Sequence, residues 1–144
     1  MKPEQFIREY GLDKAREVVE GAPDRTASHY VVDTDTYYSE EFLTYFDHSL
    51  EDWETADLNN IGELETIYEH VVSLSDLKRL VESVELINLF GSIKIAKAKV
   101  KMADFNGFLL VSVPIENGLA DVYIHKVEQA IRDHESIYGG GDES

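Results

Sequence analysis

The residues with the most distinctive spacing in this sequence are carboxylates. A helix is predicted from Ser39 to about Ala56, because Ser39 is a good N-cap and apolar residues recur after it at helical intervals. On that helix four carboxylates would fall at i, i+7, i+11 and i+14, along one side: Glu40, Asp47, Glu51 and Glu54. Neighbours one turn apart would stand about 5 to 6 Å from each other, comparable to successive phosphates of a DNA strand. The predicted chemistry is a row of negative charge that imitates a phosphate backbone.

Two interpretations of this acidic row remain open. In one it is a solvated face that only keeps the protein soluble. In the other it binds a basic protein, with charges that steer association and aromatic rings that anchor the contact wherever they are exposed. The candidate contact residues are Glu40, Glu41, Asp47, Glu51, Asp52, Glu54 and Asp57, together with Tyr37, Tyr38, Tyr45 and Trp53.

No other group of residues predicts a reaction. The five histidines form no H-x-x-x-H or H-E-x-x-H pair, so the sequence predicts no zinc site. Asp33-x-Asp35 begins like a calcium loop, but Tyr38 and Thr44 stand where an EF-hand needs Gly and Glu. Nucleophile-elbow and phosphate-loop motifs are absent. We therefore expect no metal, no cofactor and no enzymatic activity, with a small enzyme built on an unrecognised carboxylate or histidine site as a weaker alternative.

The charge of the chain narrows the class of partner. The formal net charge of the 144 residues is −16, and residues 26–77 contain 13 acids and no Lys or Arg. Such a charge argues against direct binding to nucleic acid or to an anionic membrane, since phosphates would be repelled. Four lysines between residues 94 and 101 form one small basic cluster, which we expect to pair with the protein's own acidic segment, residues 26–77, or to stay solvated. The absence of Cys excludes disulfides, and the lack of a long apolar run or a signal-peptide core predicts a cytoplasmic protein.

The elements around the acidic segment combine helices and strands. Helices are predicted at 3–9 and 13–20, from Ser73 or Ser75 to Gly91, and at about 125–137; a strand is predicted within 27–33, and a β-hairpin at 108–124 turns at Asn117-Gly118. Residues 63–72 fit a helix, although residues 67–74 could also hold a strand, and residues 93–102 fit either helix or strand. The fold class is therefore α+β: a small helix-rich single domain over residues 1–138, with a C-terminal β-hairpin followed by a last helix. Residues 139–144 are predicted to form a flexible tail.

Three stretches of the sequence resemble a group of small uncharacterised proteins carried by enterobacterial phages and prophages. They are residues 2–23 (KPEQFIREYGLDKAREVVEGAP), 74–99 (LSDLKRLVESVELINLFGSIKIAKAK) and 127–140 (VEQAIRDHESIYGG). The resemblance implies a phage accessory protein and favours a helix at 93–100, whereas the acidic middle, residues 26–70, has no counterpart in the group. Phage accessory proteins of this size often inhibit host machinery, and several unrelated acidic ones act as DNA mimics.

The leading hypothesis is a non-enzymatic, phage-encoded acidic protein that binds and inhibits a basic, nucleic-acid-handling host protein in the bacterial cytoplasm. Its action would resemble that of DNA-mimic anti-restriction or anti-CRISPR proteins. The alternative is an acidic adaptor or regulatory protein that dimerises and makes its contacts through apolar helix faces. The two differ in salt dependence, because only the first relies on charge for binding.

Overall fold

Two helices open the chain in the computed structural model, which describes residues 1–139. Helix α1 (Pro3–Tyr10) starts with Pro in its first turn, and helix α2 (Leu12–Glu20) follows after Gly11, whose φ of 92° lies in the region that favours glycine. Both helices confirm the sequence prediction. The buried side chains of α1 are the adjacent Phe6 and Ile7, and those of α2 are Ala15 and Val18, which lie one helical turn apart.

A five-stranded antiparallel sheet follows the two helices. Its strands are β1 (His29–Val31), β2 (Thr36–Ser39), β3 (Thr44–Asp47), β4 (Asp52–Thr55) and β5 (Val71–Ser73). Their order in the sheet is β4-β3-β2-β1-β5, so β4 forms one edge and β5 the other. Consecutive strands from β1 to β4 are neighbours joined by four-residue turns, which makes this part of the sheet a meander.

The helix predicted from Ser39 to Ala56 is therefore wrong, because this stretch forms strands β3 and β4 with the turns that flank them. The segment is rich in Tyr, Phe, Trp and Thr, which favour the pleated surface of a sheet. The Ser39 hydroxyl does accept a hydrogen bond from the Phe42 amide at 3.3 Å, as an N-cap would, but it closes a turn between strands. The row of carboxylates at helical spacing consequently does not exist.

Between the last two strands of the sheet the chain forms a short helical segment. A 3₁₀ turn at Ile61–Glu63 leads into α3 (Leu64–Ile67), and both precede β5. Residues 63–74, which fit helix or strand from sequence, thus contain one of each. The buried cluster on this side of the sheet comprises Val31, Tyr38, Ala56, Leu64 and Val71.

The rest of the chain consists of three helices and a hairpin. They are α4 (Leu74–Phe90), α5 (Ile93–Phe105), β6 (Leu110–Ile115), β7 (Gly118–Tyr123) and α6 (Ile124–Tyr138). The predicted hairpin and last helix are confirmed, and residues 93–102 are helical, with the Ser92 hydroxyl accepting from the Ile95 amide at the N-cap. Strands β6 and β7 form a separate two-stranded sheet.

The chain divides into two compact units, Met1–Lys78 (the N-terminal unit) and Arg79 onward (the C-terminal unit). The core of the C-terminal unit joins residues of α5 and α6 to the inner face of the hairpin, where Val111 and Val113 are buried. The α+β class predicted from sequence is confirmed. Within residues 1–139 no helix is both long and apolar enough to cross a membrane. The predicted flexible tail falls, after Gly139, outside the described residues.

Candidate functional site

The hairpin of strands β3 and β4 gathers several of the acids singled out from sequence. Cross-strand pairing sets Tyr45 opposite Glu54 and Asp47 opposite Asp52. Because side chains alternate between the two faces of a strand, these four residues lie on one face of the hairpin. Paired residues have Cβ atoms about 4.5 to 5.5 Å apart, so Asp47 and Asp52 place like charges side by side at an edge of the sheet. We call residues 44–55 the acidic hairpin.

The remaining candidate acids lie in the connections around the acidic hairpin. Glu40 and Glu41 occupy the turn between β2 and β3, Glu51 ends the turn between β3 and β4, and Asp57 follows β4; all four are exposed. Within residues 1–139 no Lys or Arg forms an ion pair with any of the seven candidate carboxylates. Their charge therefore acts on the solvent without a compensating partner.

Asp47 also has a structural role in this turn. Its Oδ1 accepts hydrogen bonds from the Ser49 amide at 2.9 Å, the Ser49 hydroxyl at 2.7 Å and the Leu50 amide at 3.2 Å. The bond from the Ser49 side chain is the main reason that the pKa of Asp47 lies below its ordinary value, and the Leu50 amide adds to the effect. Asp47 therefore stays ionised while it fixes the turn between the two strands.

The aromatic candidates separate into buried and half-exposed rings. Tyr37 donates a hydrogen bond from its hydroxyl to the Val18 carbonyl at 2.5 Å, and Tyr38 belongs to the buried cluster that contains Val31 and Leu64. Burial raises the pKa of each of these two tyrosines to about 12. Because both rings are buried, Tyr37 and Tyr38 do not meet the condition of exposure that an anchor requires. They belong to the framework beneath the surface.

Tyr45 and Trp53 are the two candidate rings that reach the surface. Trp53 packs edge-on against Phe46 with ring centroids 5.5 Å apart, and its indole nitrogen donates to Asp24 at 2.9 Å. Tyr45 is half-buried at 6.2 Å from the Tyr38 ring, on the same face as the paired acids. A partner could therefore contact part of one aromatic ring on each face of the acidic hairpin.

Two of the histidines contact turns and aromatic rings of the five-stranded sheet. His29 hydrogen-bonds through Nδ1 to the Ser28 hydroxyl at 2.8 Å, but that hydroxyl also accepts from the Glu40 amide and so holds the start of a turn. Burial lowers the pKa of His29 and so favours its neutral form. His48 contacts the rings of Tyr37 and Phe46. In the part of the chain that is described, no cluster of three His, Asp or Glu side chains could hold a metal ion.

The basic cluster lies on α5, in the C-terminal unit. Lys97 forms an ion pair with Glu135 of α6 at 3.1 Å, so its partner is an acid of its own unit and not one of residues 26–77. A second feature of this unit, not predicted from the sequence, is an exposed set of large apolar side chains near the end of α5 and on the hairpin. Its signal was present: both strands of the hairpin carry apolar residues at the outward positions as well as at the inward ones.

The two units differ strongly in charge. The N-terminal unit contains 6 Lys or Arg against 19 Asp or Glu, whereas residues 79–139 contain 7 against 8. The negative field of the protein thus originates in the unit that carries the acidic hairpin. No protein-family model matches the chain, and neither does any curated protein or any solved structure.

Proposed function

We propose that this protein binds a basic, nucleic-acid-handling host protein through the acidic hairpin and blocks its nucleic-acid site. Together with the resemblance of its helices to phage accessory proteins, this makes it an acidic inhibitor encoded by a phage. The observation that carries the proposal is the set of seven exposed or half-exposed carboxylates without a Lys or Arg partner, on a unit with a large excess of acids.

The sheet holds its carboxylates in fixed relative positions, which a flexible acidic tail does not. Strand pairing fixes Asp47, Asp52 and Glu54 relative to one another, so little side-chain and backbone freedom is lost when a partner binds. Like charges opposite each other cost stability, and a fold that keeps them gains a more concentrated negative field. Long-range attraction of this kind raises the association rate and weakens as salt screens it.

The test is a capture experiment with the immobilised full chain and a nuclease-treated enterobacterial lysate. We expect a basic nucleic-acid-binding protein to be retained at about 50 mM NaCl and released at about 500 mM, where the Debye length falls below about 5 Å. The same protein, purified, should lose its binding to labelled DNA or RNA when the acidic protein is added. Retention that does not change with salt would contradict the proposal.

A triple variant localises the effect to the acidic hairpin. Glu51→Lys, Asp52→Lys and Glu54→Lys reverse three charges there while sparing Asp47, whose carboxylate holds the turn. The matched control reverses three exposed acids of the C-terminal unit, Glu82, Glu116 and Glu128, to Lys and so changes the net charge equally. We expect the first variant to lose capture and inhibition and the control to keep both. Equal loss in the two variants would mean that only total charge matters and would overturn the proposed site.

A further inference from the structure

The C-terminal unit exposes several large apolar side chains. Phe105 at the end of α5 is 90% exposed, and Phe108 and Tyr123 are 62% and 58% exposed. Leu110 and Tyr123 face each other across the hairpin, and Pro114 faces Leu119, so these four lie on its outer face, on either side of the hydrogen-bonded pair Ser112–Asp121. This outer face and the end of α5 together form what we call the apolar face.

A groove runs between α5 and strand β6 within this unit. It has a volume of about 470 Å³ and is lined by apolar side chains that include Ile95, Met102, Phe108 and Leu110. Of the lining side chains, all within the described residues, only Lys99 is charged. Leu110 belongs both to the groove and to the outer face of the hairpin, so the two surfaces are continuous.

The exposed apolar area of the apolar face is comparable to the area that one protein buries in a stable protein–protein interface. At about 200 Å² per ring, the three exposed aromatics alone present about 400 Å² to solvent, which already equals the largest apolar patch of a typical monomer. The aliphatic residues Met102 and Leu119 are each more than 60% exposed and add to this area. Together they approach the roughly 800 Å² per partner that a stable association buries.

The charge of this unit indicates which partner fits. Residues 79–139 are close to neutral, and one lysine is the charged group of the groove, so the surface matches neither a strongly basic nor a strongly acidic protein. A second copy of the same unit satisfies the requirement, because each face carries one acid, Asp121, and one base, Lys99, so two such faces meet without net repulsion. The acidic N-terminal units would meanwhile repel each other and disfavour contacts through their own surfaces.

A knob and a hole occur together on the apolar face. Phe105 projects into solvent one helical turn beyond Met102, which lines the groove. In a two-fold symmetric dimer, Phe105 of each copy would contact the groove of the other copy, so the same contact would form twice. We propose that the protein forms a two-fold homodimer through its C-terminal unit, with Phe105 of each copy seated in the groove of the partner.

The test is the mass of the full chain in solution, measured by sedimentation equilibrium between about 5 and 200 µM, a range that resolves micromolar affinities. We expect a mass twice the 16.4 kDa of one chain. The dimer should persist or strengthen at about 500 mM NaCl, because salt screens repulsion between the acidic units. Binding of the basic partner should weaken under the same conditions, so failure of this proposal and failure of the proposed function are distinguishable.

Two substitutions test the geometry. Phe105→Asp removes the knob, and we expect the dimer dissociation constant to rise by about tenfold or more, as for an interfacial hot spot. Phe42→Asp is the matched control, since Phe42 is 60% exposed but belongs to the N-terminal unit. A single-chain mass throughout the concentration range, or a dimer that Phe105→Asp leaves intact, would overturn the proposal. Circular dichroism of both variants checks that neither result comes from unfolding.

Discussion

At the scale of single residues, Gly21 shows how the sheet constrains the end of α2. Its φ of −80° and ψ of −4° suit alanine, and Gly→Ala at a compatible position normally adds about 0.4 to 1 kcal/mol to the free energy of unfolding. Here a Cβ would lie 2.9 Å from the Tyr37 hydroxyl oxygen and 3.0 Å from the Glu17 carbonyl oxygen. We therefore expect Gly21→Ala to lower the free energy of unfolding by about 1 kcal/mol or more, as overpacking does, in urea denaturation.

The Tyr37 hydroxyl cannot move away, because it donates to the Val18 carbonyl, one of the last acceptors of α2. Tyr37→Phe alone should cost about 1 kcal/mol through loss of that hydrogen bond. It also removes the oxygen that an alanine at position 21 would meet, so Gly21→Ala should cost less in the Tyr37→Phe background. Additive effects of the two substitutions would show that the hydroxyl is not the obstacle.

At the scale of elements, the turn between β3 and β4 holds a strained residue. Glu51 has a φ of 52°, in the left-handed region that costs roughly 1 kcal/mol for a residue with a side chain. Glu51→Gly should therefore raise the free energy of unfolding by up to about 1 kcal/mol, measured by thermal or urea denaturation. Glu51→Gln is the control, because it removes the same charge and keeps the strain. A gain of equal size in both variants would assign the effect to charge.

Secondary structure was predicted correctly for most of the chain and incorrectly for residues 39–56, which contain this turn. Helices α1, α2, α4 and α6 and the hairpin at 110–123 were predictable, because their apolar residues follow one period and their ends carry Pro, Gly or Asn-Gly signals. In residues 39–56, aromatic residues lie on both faces of short strands, and their spacing happens to match a helix as well. The Ser39 hydroxyl accepts a hydrogen bond from the amide of Phe42, three residues later in the chain, and a serine makes this bond both at the start of a helix and in a turn.

For the candidate site, composition was a better guide than geometry. The acids and their lack of basic partners follow from the sequence, since no Lys or Arg occurs between Arg25 and Lys78. Which side chains share a face depends on strand register, and register depends on long-range pairing that a local pattern does not encode. The burial of Tyr37 was equally hidden, because it depends on α2, whose Val18 carbonyl its hydroxyl contacts.

At the scale of the whole molecule, a net charge of −16 destabilises the folded state, because its like charges repel one another. Added salt should weaken this repulsion, and the effect should be largest in the N-terminal unit, which contains 19 acidic and 6 basic residues. Trp53, the one tryptophan of the chain, belongs to that unit and contacts Phe46 and Asp24. Its fluorescence therefore reports the unfolding of the acidic unit.

We expect the thermal midpoint followed by Trp53 fluorescence to rise by several degrees between about 20 mM and 300 mM NaCl, over which the Debye length falls from about 20 Å to about 6 Å. The variant with Glu51, Asp52 and Glu54 changed to Lys should shift less with salt, because part of the repulsion is already gone and new attractions are screened instead. A midpoint that does not respond to salt in the unchanged protein would mean that the exposed carboxylates are too far apart to repel. The acidic hairpin would then lack the concentrated negative field on which its proposed binding to a basic protein depends.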